Sequence, residues 1–262
     1  MTSGAERSRP SLEDLRAVIT GAAGGIGRAT VRRLLAQGAT VHGLDRDRAG
    51  LEALGEELAD VGRFHAQAVD LTSRRDTERV LGRLNERLGG RCDILVNNAG
   101  ISRLRAFGDT DDELLEELLA VNLTAAFRIT RALLPSLRAS GRAAVINIAS
   151  ELALVGQAGY TAYCATKGAV LGWTRALAVE LAPSGIRVNA LCPGPIDTAM
   201  LQAEFAALGD PLRARAQEIA LVPLGRLGAP QDIAAVVEFL ASDAAAFVSG
   251  AAWSVDGGKT AR

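Results

Sequence analysis

Two histidines and three cysteines are all that the 262-residue chain offers of the side chains most often used to hold transition metals. Cys92, Cys164 and Cys192 lie far apart with no CxxC spacing, which excludes the common zinc frameworks and argues against a disulfide scaffold. They suit small buried thiols in a reducing compartment, and no metal site is expected. A net charge of -1 provides no basic field for nucleic acid. No run of about eighteen apolar residues offers a membrane span. The opening MTSGAERSRPS carries arginines with no apolar stretch behind them, so residues 1–12 are expected to be a polar tail and not a secretion signal. The cytoplasm is the expected location. Lysine is scarcer still: only Lys167 and Lys259 stand among the 29 basic residues, and the chain has just two tyrosines, Tyr160 and Tyr163.

What remains is 48% hydrophobic and 23% charged, with no compositional break, no repeat and no low-complexity segment. That is enough apolar material for one large core, so residues 13–262 are expected to form a single domain. Short apolar or β-branched runs recur as RAVIT (16–20), TVHGL (40–44), FHAQAV (64–69), DILVN (93–97), AAVINIA (143–149), IRVNAL (186–191) and AAWSVD (251–256). Amphipathic helical patterns lie between them, including GRATVRRLLAQG, RDTERVLGRLNERL, AYCATKGAVLGWTRALAVELA and PQDIAAVVEFLAS. Strands this apolar have no face to give to water. The alternation therefore predicts an α/β, doubly wound, Rossmann-like domain: a seven-stranded parallel sheet with helices on both faces. The stretch from Cys192 to about Pro230 reads as irregular, and its part from about 195 to 225 is expected to cover a site. His42 and His65 fall in predicted strands and read as structural. The acidic run DTDDELLEEL has no His or Cys partner nearby and reads as a helix start, where carboxylates complement the dipole.

Directly after the first strand, TGAAGGIG places Gly21, Gly25 and Gly27 where a chain can turn tightly, approach a pyrophosphate and start a helix aimed at it. Asp45 ends the second strand, where a carboxylate accepts the ribose hydroxyls of an adenosine and repels a 2′-phosphate. This favours NAD over NADP. The neighbouring Arg46 keeps the alternative open, because an arginine there pairs with a 2′-phosphate if Asp45 turns away.

Several spaced motifs together resemble the short-chain dehydrogenases/reductases, from about Arg16 to Gly258. Thr20, Gly21, Gly25 and Gly27 are similar to the family's TGxxxGxG, and NNAG covers Asn97 to Gly100. VNLT supplies Asn122, NIAS supplies Ser150, and Tyr163 with Lys167 match YxxxK. Pro193, Gly194 and Thr198 lie in CPGPIDT. The resemblance implies a tetrad of Asn122, Ser150, Tyr163 and Lys167. In it Ser150 bonds the substrate oxygen, Tyr163 moves the proton, Lys167 holds the nicotinamide ribose, and Asn122 helps hold a water in a relay. Residues four apart share a helix face, and an ammonium near a phenol of ordinary pKa about 10 favours the phenolate. Implied cofactor contacts add Ile26 beside the glycines, Asp70 and Leu71 near the adenine, Asn98, Ala99 and Gly100 of the NNAG turn, and Pro193, Gly194, Ile196 and Thr198. Glu151, Gln157 and Tyr160 are candidates for substrate hydroxyls, and an arginine of the covering stretch for a substrate carboxylate.

The implied activity is hydride transfer between NAD(H) and a secondary alcohol or ketone of a small cyclic or polyfunctional molecule, with no nucleic-acid or membrane partner. An NADPH-dependent 3-oxoacyl thioester reductase is the alternative, although its preference predicts a basic residue where Gly24 stands. A non-catalytic NAD-binding sensor is the third reading. The resemblance further implies a homotetramer joined through long helices at about Thr110–Leu137 and Tyr160–Ala182.

Overall fold

A computed structural model describes residues 12–261. The apolar runs form β1 (Arg16–Thr20), β2 (Thr40–Asp45), β3 (Phe64–Ala68), β4 (Ile94–Asn97), β5 (Ala144–Ile148), β6 (Arg187–Pro193) and β7 (Ala252–Val255). Every pairing is parallel, in the order β3-β2-β1-β4-β5-β6-β7. Val18 pairs with His42 on one side and Leu95 on the other, so β1 is an inner strand beside the central β4, and the strand order reverses between β1 and β4. In such sheets the crevice at the carboxyl ends of the strands, at that reversal, is where ligands bind.

Alternate residues of each strand face opposite sides, and each side has its own helices. Ala17, Ile19, Val41, Val96 and Ile146 pack under α1 (Gly25–Ala36), α2 (Arg48–Glu57) and α9 (Pro230–Ala241). Val18, Leu44, Leu95, Val145 and Val188 pack under α3 (Arg74–Arg87), α5 (Ala125–Ser140) and α6 (Thr161–Leu181). Burying a leucine such as Leu34, Leu84 or Leu133 completely is worth about 1.5–3 kcal/mol, and each face holds many such residues. α2 lies where the sequence LDRDRAG suggests a turn; Asp47 caps it by accepting from the Gly50 amide at 2.9 Å. α4 (Asp112–Leu119) starts at Asp111, whose side chain accepts from Leu114, and carries Asp112 and Glu113 in its first turn.

Three expectations need correction. Cys192 to Pro230 is not irregular: β6 continues to Pro193, and α7 (Ala199–Ala207) and α8 (Pro211–Ala220) follow. Thr198 caps α7, Asp210 with Pro211 starts α8, and Phe205, Ala214 and Leu227 form a small core of their own. Leu12 is no tail residue, since it is fully buried and its amide bonds the Gln37 carbonyl; the rest of the expected tail lies outside the described residues. Finally, α4 and α5 join through a π-helical turn, Ala120–Thr124, into a 29-residue helix whose most apolar window reaches a mean hydropathy of 1.2, the length and composition of a membrane span. Its Ile129, Leu133 and Leu137 belong to the sheet core, which accounts for that hydropathy in a core helix.

Candidate active site

A cavity of about 770 Å³ opens at the carboxyl ends of β1, β4, β5 and β6. At one end lies the glycine turn. Gly21 has φ +66°, a left-handed conformation that favours glycine, and a Cβ on Gly27 would run into the Gly21 carbonyl. A Cβ on Gly25 would stand 2.8 Å from the Thr198 methyl. Gly24, the N-cap of α1, offers no capping side chain, so the first amides of the helix face the cleft without a protein acceptor at the cap. Thr20 ties this turn to the NNAG turn: its hydroxyl accepts from the Asn98 and Ala99 amides, both at 3.0 Å. The Asn98 side chain donates to the carbonyls of Thr20 and Gly21, also at 3.0 Å. Asn98 thus braces the turn while lining the cleft.

Asp45 closes β2 beside the glycine turn, accepting from the Ala23 amide at 2.9 Å and the Asp47 amide at 3.0 Å. Its carboxylate is thereby fixed at the cavity rim, next to an exposed Arg46. Asp70 accepts from both the amide and the hydroxyl of Thr72, which hold it below the usual carboxylate range, and buried Leu71 follows it.

At the other end, Ser150 leaves β5 and Tyr163 and Lys167 rise from the first turns of α6. Ser150 caps a short 3₁₀ turn, Glu151–Ala153, accepting from the Leu152 amide at 3.1 Å. The Lys167 ammonium donates to the Ile148 carbonyl at 2.9 Å, and burial pushes its pKa down to about 8. Burial raises the Tyr163 phenol above its ordinary value, while hydrogen bonding with Ser150 pulls the other way. The Ser150 hydrogen bond thus favours the phenolate. Asn122 sits in the π turn, 3% exposed. Its Oδ1 accepts from the Ile101 amide at 2.8 Å, and its Nδ2 donates to the Ile101 carbonyl at 3.0 Å and to Thr166 Oγ1 at 3.1 Å. These bonds hold the segment after NNAG against α6, and a Cβ on Gly100 would meet Lys167 Nζ at 3.3 Å and Asn122 Oδ1 at 3.4 Å. The four tetrad residues therefore converge. Pro193, Gly194, Ile196 and Thr198 line the same cleft as β6 ends, and Ile26 lines it from α1.

α7 and α8 cover this end. Tyr160 donates to Glu204 of α7 at 2.8 Å, so its hydroxyl is committed to the covering segment, with its ring 6.2 Å from that of Tyr163. Gln157 is exposed on the rim. The expected arginine is absent from this end among the described residues: Arg215 pairs with Asp197 at 3.0 Å and Arg226 with Asp232 at 2.6 Å, and Arg46 at the other end is the cavity's one arginine. The sequence reading missed Glu204, Glu218 and Lys259, which also line the cavity. Lys259, one of only two lysines, carried the signal that could have exposed it.

The family model described as enoyl-(acyl carrier protein) reductase matches residues 21–260. The 3-oxoacyl-(acyl-carrier-protein) reductase FabG of Vibrio harveyi is 38% identical over 248 residues, covering 95% of this chain and 98% of its own. A Beutenbergia cavernae protein described as an NAD(P)-dependent gluconate 5-dehydrogenase, solved with NADP, superposes with a TM-score of 0.88 at 39% identity, over 96% of this chain and 99% of that one. A 3-ketoacyl-(acyl-carrier-protein) reductase from Brucella melitensis, solved with NADH, gives 0.87 at 34% identity, over 95% and 100%. With the parallel sheet and the motif-bearing cleft, these matches establish that the chain belongs to the short-chain dehydrogenase/reductase family of oxidoreductases.

Proposed function

We propose that the protein interconverts a secondary alcohol and its ketone with NAD as cofactor. The observation that carries this reading is a single cavity with Asp45 and the glycine turn at one end and Ser150, Tyr163 and Lys167 at the other. The chain's groups suit a dinucleotide: the turn leaves no room for a Cβ at Gly25 or Gly27, the α1 amides at its N-terminus have no side-chain cap, and a fixed carboxylate waits where an adenosine ribose would lie. Asp45, the α1 N-terminus, the NNAG turn, Lys167 and Thr198 would hold it. Bound there, the nicotinamide supplies the hydride acceptor or donor. Ser150 then bonds the reacting oxygen, Tyr163 removes or returns its proton, and Lys167 orients the ribose and adds positive charge near the phenol. Asn122 fixes the spacing between the NNAG segment and α6.

NAD is preferred over NADP because Asp45 is held at the rim by two amides while Arg46 is exposed to solvent. The test is NADH formation at mildly alkaline pH, with NAD and NADP offered separately to a panel of secondary alcohols. Turnover with NAD that disappears in Tyr163→Phe is the expected result. Undiminished turnover in that variant would sink the assignment. Kinship with FabG favours a second reading, reduction of a 3-oxoacyl thioester with NADPH. Gly24 and Asp45 argue against it, and rapid NADPH-driven reduction of an acetoacetyl thioester would replace the first reading with this one.

The same proposal places the enzyme in the cytoplasm as a homotetramer. Three free cysteines suit a reducing compartment, and Phe127 on α5 and Val179 on α6 leave apolar surface exposed on the two long helices. A monomeric mass in solution at micromolar concentration would refute the assembly.

A further inference from the structure

The tetrad uses one of the chain's two lysines, and the second lies in the same cleft. Lys259, just beyond β7, donates from Nζ to Glu151 Oε1 at 2.7 Å and to Glu218 Oε1 at 2.5 Å. Glu151 follows Ser150 directly and Glu218 belongs to α8, so one ammonium, 108 residues from Glu151 in the sequence, joins the catalytic turn to the covering segment. Burial works against that ammonium, yet the two carboxylates outweigh it and raise its pKa, so it stays charged. Glu151 is only 4% exposed, and among the described residues its second oxygen, Oε2, has no hydrogen-bond partner. A buried carboxylate oxygen left unpaired is costly unless something donates to it.

The charge around it restricts what that donor is. Glu151, Glu204 and Glu218 line the substrate end, and apart from Lys167 the one cation there among the described residues is Lys259. A carboxylate or phosphate on the substrate meets net negative charge, with no arginine among the described residues at this end to take it. A hydrocarbon alcohol brings no donor to Glu151 Oε2, which the fold already shields from solvent. An uncharged molecule with several hydroxyls supplies O–H donors to an ionised acceptor, a stronger bond than between neutral groups. Sites built to bond a hydroxyl reject analogues that lack it far better than apolar pockets reject added groups.

We propose that Glu151, held by Lys259 and backed by Glu218, is a specificity-determining residue that accepts a hydrogen bond from a non-reacting hydroxyl of an uncharged polyhydroxylated alcohol and excludes acidic analogues. This names the substrate class for the activity proposed above and rests on that reading.

The test offers three sets of ring alcohols to the wild-type enzyme with NAD: cyclohexanol and cyclopentanol; myo-inositol and neutral aldoses; quinate and aldonates. The neutral polyhydroxylated set is expected to lead the other two by roughly tenfold or more in kcat/KM. Glu151→Gln, which keeps shape and removes charge, is expected to narrow that lead by roughly tenfold through KM, with NADH fluorescence reporting that the cofactor end is intact. If the variant loses NADH binding, the wild-type ranking decides alone. Tyr163-dependent turnover that is fastest on the monohydroxy or acidic set overturns this specificity while leaving the dehydrogenase reading in place. Silence on all three sets with either cofactor overturns both.

Discussion

The Lys167 ammonium lies 5.7 Å from the centroid of the Tyr163 ring and gives its hydrogen bond to the Ile148 carbonyl. One helical turn separates the two residues in α6, so the helix fixes their spacing, while the end of β5 fixes the direction of the amine. Both groups are shifted by burial, the phenol upward and the ammonium down to about 8. Each change, taken alone, favours the uncharged form.

A directional pH dependence follows. Alcohol oxidation needs Tyr163 as the base, and a raised phenol supplies that form only as pH increases. Ketone reduction needs the protonated phenol, which is already abundant at neutral pH. Oxidation should therefore climb between about pH 7 and 10, whereas reduction should be greatest near neutrality and fall in the alkaline range. Initial rates in both directions with saturating cofactor check this, and a flat oxidation profile would contradict it.

Asp45 offers a second test. Asp45→Ala removes the carboxylate at the rim and frees Arg46 to meet a 2′-phosphate. Efficiency with NAD is expected to drop roughly tenfold to a hundredfold, on the order of 1.4–2.8 kcal/mol, while efficiency with NADP rises. Cofactor titrations followed by NADH and NADPH fluorescence separate a switch in preference from general loosening of the glycine turn, which would weaken both.

His42 links stability to pH. Its burial, and behind that His65, Arg87 and Arg16, lower its pKa to about 4, against an ordinary value of 6.5. The unfolded chain takes up a proton as pH falls through about 6.5, and the folded protein does so only near 4. The contribution of neutral His42 is thus complete above about pH 6.5 and is lost as pH falls toward 4. Urea unfolding should show a loss on the order of 1–2 kcal/mol between about pH 7 and 5. His42→Gln should flatten that part of the profile; the same slope in the variant would assign it to other groups.

Legibility in the sequence followed the range of the interactions. The five inner strands are buried on both faces, and all seven strands lie within two residues of their expected places, although the edge strands β3 and β7 are partly exposed. The tetrad candidates could be named because three motifs, each local, carry them, and the fold brings the four side chains together. α2 was obscured by the Asp, Arg and Gly of a turn-like segment, although Asp47 is its cap. α7, AMLQAEFAA, has no clear polar face because it packs through Phe205 against α8 and not the sheet. Thr198 and the Asp210-Pro211 pair nevertheless marked where both covering helices begin. The Lys259 bridge was beyond local reading, since its partners are brought together only by the finished fold. Of the arginines in and beside the covering stretch that looked available for a ligand, Arg215 is committed to Asp197 and Arg226 to Asp232, and Arg213 does not line the cavity.

Tyr160 tests whether that covering segment governs binding. Its hydroxyl donates to Glu204 and so ties the start of α6 to α7, but it takes no part in the chemistry assigned to Tyr163. Tyr160→Phe keeps the ring contact with Tyr163 and leaves the Glu204 carboxylate without this donor. A hydrogen bond to a charged group contributes about 1.5–3 kcal/mol, part of which water recovers at a half-buried carboxylate. KM for the alcohol should therefore rise roughly three- to tenfold, with a smaller change in kcat. Glu204→Gln should raise KM as well, and the double variant should be no worse than the more impaired single one, because both remove the same tie. Strict additivity in that cycle would show that the two residues act separately, and collapse of kcat in Tyr160→Phe would move this tyrosine into the chemistry.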